Sequence, residues 1–325
     1  MIYPKFLEEN DTIGITAVSG GLDENWQNYY LKSLNNLKKL NYKIKETNNT
    51  RLSGLVSSSG EVRAKEFIEL IKDDNVKMIM CARGGDFLVD MLEFVNFKII
   101  KKYPKWIQGY SDPTSLLFYI TTKLDIATIY GPNAGAYFYD TLHKSLKNNL
   151  DIIRGSIPTQ TSFKLYQSKD SNEISNYVLD SPVKWIGSID VRGRLIGGCI
   201  DSLKYLVGTK YDNVSKFVDK YKDDGIVWYF DIFALTSEGV SYALWQMKNA
   251  GWFKYSKAFI FGRIKYPNTH VDLTYYDAIK RVIEESKFIM EADIGHVRPS
   301  MTFINGSIID LKAKNGKGKV DFTLR

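Results

Sequence analysis

The stretch Trp106-Ile107-Gln108-Gly109-Tyr110-Ser111-Asp112-Pro113-Thr114 decides how this chain is read. Residues 105–108, with Trp106 and Ile107 at their centre, have the character of a short buried strand. Residues 114–120 (Thr-Ser-Leu-Leu-Phe-Tyr-Ile) have that of a helix with Pro113 in its first turn. Ser111 therefore falls on a strand-to-helix turn. A hydroxyl there stands above the sheet edge, and the N–H groups that open the helix face any negative charge developing beside it. That is the placement a nucleophile needs, although the flanking pattern is Gly-Tyr-Ser-Asp-Pro rather than G-x-S-x-G. Read alone, the stretch leaves a second possibility open, an ordinary helix N-cap at Ser111 or Asp112.

Upstream, strand and helix patterns alternate. A strand over residues 12–18 ends in Ser19-Gly20-Gly21, and residues 24–40 carry apolar side chains at helical spacing. A strand over 42–46 and a helix from 57 to 71 follow, and then the apolar strand 76–82 runs into Arg83-Gly84-Gly85. After Ser111 a fifth strand, 127–130, ends in Gly131-Pro132-Asn133. This alternation predicts a parallel sheet with helices on both faces, whose sites form where loops leave the carboxyl ends of the strands. The Gly84-Gly85 loop and the Ser111 turn leave consecutive strands and should meet on one edge. Two adjacent glycines then either bring bare N–H groups close to a ligand or only make a tight turn.

From residue 150 the pattern changes. Residues 151–184 are polar and weakly periodic and read as a connector between a domain over 1–150 and another over 185–325. The later domain begins with β structure from Trp185, turning at Gly197-Gly198 into a helix. The strand 226–232, a helix over 237–250, the strand 258–261, a helix over 275–285 and the strand 288–294 follow, and short strands close the chain.

The 325 residues, 44% of them apolar, suffice for two medium domains. The opening residues contain no uninterrupted apolar run, and no later run reaches membrane-spanning length, so the expected compartment is the cytoplasm, with no membrane partner. Cys81 and Cys199 are too few for a disulfide framework or a structural zinc site, and both read as buried thiols. The formal charge of +7 is spread among asparagines and acids, with one basic concentration in the closing stretch 312–319. It reads as a solvated surface, and no nucleic-acid motif accompanies it. A dinucleotide-binding oxidoreductase would suit the alternating sheet, but G-x-G-x-x-G is missing after the first strand.

A nucleophilic serine needs a base, and the base an orienting group. Of the three histidines, His143 falls in a helical stretch at a surface position and His270 in a loop. His296, in Asp293-Ile-Gly-His-Val-Arg-Pro299, follows a strand end where side chains converge, and it is the preferred base. Asp231 lies inside the apolar run Ile226-Val-Trp-Tyr-Phe-Asp-Ile-Phe233, where a carboxylate is costly unless paired, so it is the candidate orienting acid. A cap of the next helix, or a role taken by Glu238, are the alternatives for it.

With these pieces in place the chain resembles the LD-carboxypeptidase family of serine peptidases, which includes murein tetrapeptide carboxypeptidases and microcin C self-immunity peptidases. Residues 11–19 resemble the family's opening strand, and Arg63 lies in its Arg-containing helix. Cys81-Ala-Arg-Gly-Gly85, Gly109-Tyr-Ser-Asp-Pro-Thr114, residues 193–203 with Gly208-Thr209, and Gly295-His296 match further motifs in order and spacing over nearly the full length. The resemblance implies a flavodoxin-like N-terminal α/β domain with a mostly parallel sheet, a smaller β-rich α+β C-terminal domain, a site at the cleft, and a homodimer. It implies the triad Ser111, Asp231 and His296, with Gly85 and Asp112 N–H groups as oxyanion hole, and no metal or other cofactor. Expected substrates are murein peptides with a terminal D-amino acid, or peptidyl-nucleotides. Arg83, Gly84 and Arg298 are candidates for holding substrate, each arginine being equally placed for a structural ion pair.

The sequence departs from the family pattern at three places. Asp231 stands where the family has Glu, one methylene and about an ångström shorter in reach. Asp86 replaces Tyr and Cys199 replaces Asn. A non-catalytic binding module that has lost the chemistry is the competing expectation.

Overall fold

The computed structural model of the chain describes residues 1–171 and 173–325. Two compact units emerge, one of Met1–Ile157 with a short return segment up to Asn176, the other of Pro158–Ser171 and Tyr177–Arg325. They are nearly equal in length.

In the first unit, β1 (Thr12–Thr16), α1 (Glu24–Lys39), β2 (Lys43–Glu46), α2 (Gly60–Lys72), β3 (Val76–Cys81), α3 (Val89–Leu92), α4 (Phe97–Lys102), β4 (Trp106–Gly109), α5 (Thr114–Tyr119), β5 (Thr128–Tyr130) and α6 (Lys144–Ile153) follow one another. Their strands lie in the order β5-β4-β3-β1-β2, all paired in parallel. This is the flavodoxin-like order with its switch point between β1 and β3. The central strands are buried on both faces and nearly continuous in apolar residues, as a helix-covered parallel sheet requires. The one polar side chain in β4, Gln108, is wholly buried but satisfied. Its amide donates to the Pro132 carbonyl at 2.8 Å and accepts from Asn149 at 2.9 Å.

The second unit contains β6 (Gln160–Thr161), β7 (Leu165–Tyr166), β8 (Ser181–Pro182), β9 (Ile189–Cys199), α7 (Ile200–Leu203), α8 (Val214–Lys220), β10 (Ile226–Asp231), α9 (Ser237–Asn249), β11 (Ser256–Gly262), α10 (Tyr275–Lys280), β12 (Phe288–Ala292), β13 (Phe303–Asn305), β14 (Ile308–Lys314) and β15 (Lys317–Thr323). Its seven-stranded sheet runs β12-β11-β10-β9-β14-β15-β6. The four strands from β9 to β12 are parallel neighbours, and β14, β15 and β6 join antiparallel.

Several expectations shift. The stretch 151–184, read as a connector, divides between the units: α6 ends within it, and β6 pairs with β15 in the second sheet. Gly197 and Gly198 do not turn the chain. They remain in β9, in register with Tyr229 and Phe230, and the helix starts only after Cys199. The helix expected to reach 285 stops at Lys280. The basic closing stretch is a β14–β15 hairpin with Asn315 and Gly316 in the left-handed region, the conformation of a two-residue hairpin turn. Its lysines alternate with buried Leu311, Ala313 and Val320, and Lys312 and Lys319 pair with Asp190 and Asp321. Period-two alternation thus accounts for the charge as the solvent face of a hairpin. Among the described residues, no helix is long and apolar enough to cross a membrane.

Candidate functional site

Ser111 follows β4 with φ of +70°, a left-handed conformation uncommon for a residue other than glycine. The helix-cap alternative is not what forms. Pro113 occupies the cap position of α5 and no side chain caps the helix. The Asp112 carboxylate instead turns away to accept from the Ser19 hydroxyl and, at 2.8 Å, from the Leu88 N–H. Burial pushes its pKa up against the pull of those donors. These bonds tie the Ser111 turn to the ends of β1 and of the Gly-Gly loop. A hydrogen bond from the Ser111 N–H to the Tyr130 hydroxyl at 3.4 Å and one from the Tyr110 N–H to Asn133 at 3.2 Å tie it to the β5 end.

The loop after β3 does meet Ser111. A Cβ on Gly84 would lie 2.9 Å from the Ser111 Cβ and 3.0 Å from its Oγ, so only glycine fits there without displacing the serine. The backbone N–H groups of Gly85 and Asp112 donate to no protein acceptor among the described residues, as donors kept for an oxyanion would. Arg83 pairs with Asp23 at 2.8 Å, and Asp86 is exposed. Arg63, buried in α2, donates to the carbonyls of Val18 at 2.9 Å and Phe87 at 3.0 Å, bracing the loops on either side of Gly84 and Gly85.

In the second unit Asp231 ends β10, fully buried, and His296 follows β12 in a tight loop. His296 Nδ1 lies 2.7 Å from Asp231 Oδ2, and the His296 N–H donates to Asp231 Oδ1 at 3.3 Å. The buried carboxylate thus has the partner that its position in an apolar strand required. The backbone comes close to the acid. A Cβ on Gly295, at φ +89°, would lie 1.8 Å from Asp231 Oδ1, so this glycine lets the loop press against the acid.

The same loop is braced from behind. Asp293 forms a buried ion pair with Arg263 and accepts from Trp185 Nε1 at 3.0 Å and from the Phe163 N–H at 3.1 Å. The Phe233 ring packs 4.5 Å from the imidazole, and its segment is fixed by the Phe233 and Ala234 N–H groups donating to Asp201 at 3.0 and 2.9 Å.

The remaining candidates have partners of their own. His143 is not in a helix but caps α6, its Nδ1 accepting from the Ser145 N–H at 3.1 Å. His270 is exposed, and Glu238 accepts from its N–H and from Ser237 and Thr269. The Arg298 guanidinium sits 5.8 Å from the Tyr177 ring centroid. Trp185 is buried, with its indole N–H donating to Asp293. Sequence reasoning missed Ser19, Asp201, Arg263 and Asp293. The signal for Arg263 and Asp293 was present, since each is a charge at the end of an apolar strand, as Asp231 is.

A family model described as the LD-carboxypeptidase N-terminal domain matches residues 13–131, and one described as the LD-carboxypeptidase C-terminal domain matches residues 192–311. A Vibrio cholerae protein named as a carboxypeptidase is 28% identical over 65% of this chain and 66% of its own length. The microcin C7 self-immunity protein MccF of Escherichia coli is 29% identical over 63% of each chain. The matched stretches thus span slightly under two thirds of these relatives. A solved structure of MccF in complex with aspartyl sulfamoyl adenosine shares the fold, with a TM-score of 0.83 at 21% identity, covering 100% of this chain and 99% of that one.

Proposed function

Because the chain belongs to the LD-carboxypeptidase family of serine peptidases, we propose that it hydrolyses an amide bond through an acyl-enzyme formed on Ser111, with His296 as base and Asp231 as its orienting acid. The observation that carries this reading is the 2.7 Å approach of His296 Nδ1 to a fully buried Asp231. A carboxylate at that distance stabilises the imidazolium once it forms. His296 takes the Ser111 proton as Oγ attacks the scissile carbonyl, and the oxyanion is met by the N–H groups of Gly85 and Asp112. The imidazolium then protonates the leaving amine. Water, deprotonated by the same histidine, releases the acyl group.

The substrate we assign first is the amide between an L-configured centre and a terminal D-amino acid in murein peptides, which the family description supports. A peptidyl-nucleotide substrate is the second reading, supported by the likeness to MccF and its aspartyl sulfamoyl adenosine complex.

Release of free D-alanine from an L,D-linked murein tetrapeptide, by wild type and Ser111→Ala, tests the first reading, with an aminoacyl sulfamoyl adenylate run in parallel. D-Alanine release that disappears in the variant is the expected result. Cleavage of the adenylate alone moves the protein to the second reading. Turnover of neither overturns both and leaves a binding module.

A further inference from the structure

Cys199 puts a third type of metal ligand beside the acid and the histidine. Cys199 ends β9, directly opposite Asp231 in the parallel register, and His296 approaches from the loop after β12. The Cys199 Sγ, an Asp231 carboxylate oxygen and a His296 ring nitrogen all lie within 4.8 Å of one another, the one such group among the described residues. A second carboxylate, that of Asp201, is 3.8 Å from the same sulfur. We infer that Cys199, Asp231 and His296 form a binding site for a thiophilic divalent cation of the zinc type, and that occupancy of this site switches the enzyme off.

The donor set supports this choice of ion. Thiolate, imidazole and carboxylate together are ligands of tetrahedral zinc, at about 2.3 Å for sulfur and about 2.0–2.2 Å for nitrogen and oxygen. Atoms at those distances from a common centre lie about 3.5 Å apart, so the widest separation need close by only about an ångström, while His296 Nδ1 and Asp231 Oδ2, now 2.7 Å apart, open by a little less. The oxygen-seeking ions Mg2+ and Ca2+ gain nothing from the sulfur. Charge is balanced as well: one M2+ neutralises one thiolate and one carboxylate, and the Cys199 proton leaves to solvent as the metal–sulfur bond forms. With the imidazole committed to the cation, His296 no longer accepts the Ser111 proton. That inhibitory consequence rests on the proposed hydrolysis, whereas the binding itself does not.

Titration of the full-length protein with Co2+, a spectroscopic stand-in for Zn2+, separates the two. The expected result is a thiolate-to-cobalt charge-transfer band saturating at one equivalent, displaced by Zn2+ and unaffected by Mg2+. It disappears in Cys199→Ser, and in His296→Gln the affinity falls at least about tenfold. Absence of the band in wild type, or its persistence in a folded Cys199→Ser protein, overturns the site. Should Cys199→Ser fail to fold, unchanged Co2+ affinity in His296→Gln overturns it instead. In the same samples Zn2+ abolishes whatever amide hydrolysis is found in wild type. Hydrolysis that continues with the site saturated refutes the switch, while a saturable site on a protein without hydrolytic activity refutes only the proposed function.

Discussion

Ser111 pairs an uncommon backbone conformation with a close neighbour, and the two have separable energetic signatures. A left-handed conformation costs an L-residue about 1–2 kcal/mol relative to glycine. With φ at +70°, Ser111→Gly is expected to be about 1 kcal/mol more stable to urea than Ser111→Ala, both being inactive. Equal stability of the two variants would mean that the turn carries no strain. Gly295 gives the complementary case. Its φ is +89° and a Cβ there would meet Asp231 at 1.8 Å, whereas Gly208, at φ +76°, has nothing within 4 Å. Replacement by alanine should cost about 1 kcal/mol at Gly208 from backbone strain alone and about 3 kcal/mol at Gly295, where the acid is displaced as well. Urea midpoints that shift equally would show that the loop does not press on Asp231.

At the scale of elements, the sequence exposed what periodicity and burial cost dictate and hid what depends on pairing. The strands β1, β3 and β10 were legible because a run of apolar residues bounded by glycine or charge has few other uses. Asp231 was legible because it interrupts such a run. His296 could be preferred only from its place after a strand, and its contact with Asp231 depends on a register that no local pattern contains. Gly197 and Gly198 misled for the same reason. Adjacent glycines usually punctuate a strand, but here ladder pairing to β10 carries the chain through them.

The helix α6 supplies a pH test. Burial first, then Lys144 and Lys147, lower the pKa of its capping residue His143 below 6.5. A histidine shifted in this direction stabilises the fold above its unfolded pKa, and that contribution is lost as pH falls through the lower folded value. Wild type should therefore lose more stability between about pH 7.5 and about pH 5.5 than His143→Asn, whose amide retains the cap without titrating. Parallel stability curves for the two proteins would contradict the assignment.

Across the whole molecule, the charge of +7 describes a lysine-rich solvent surface, as the pairing of hairpin lysines with Asp190 and Asp321 illustrates. The proposed chemistry draws on both units, since Ser111 lies in one and the Asp231–His296 pair in the other. Its nucleophile and base are supported by separate local observations: the left-handed serine at a strand-to-helix turn, and the histidine beside a buried acid. The most direct test of their joint action is covalent labelling by a serine-directed fluorophosphonate, followed by mass mapping of the modified residue. The account predicts one label per chain, on Ser111, with a labelling rate at least about a hundredfold lower in His296→Gln. Labelling at another residue, or at an unchanged rate without the histidine, would contradict it.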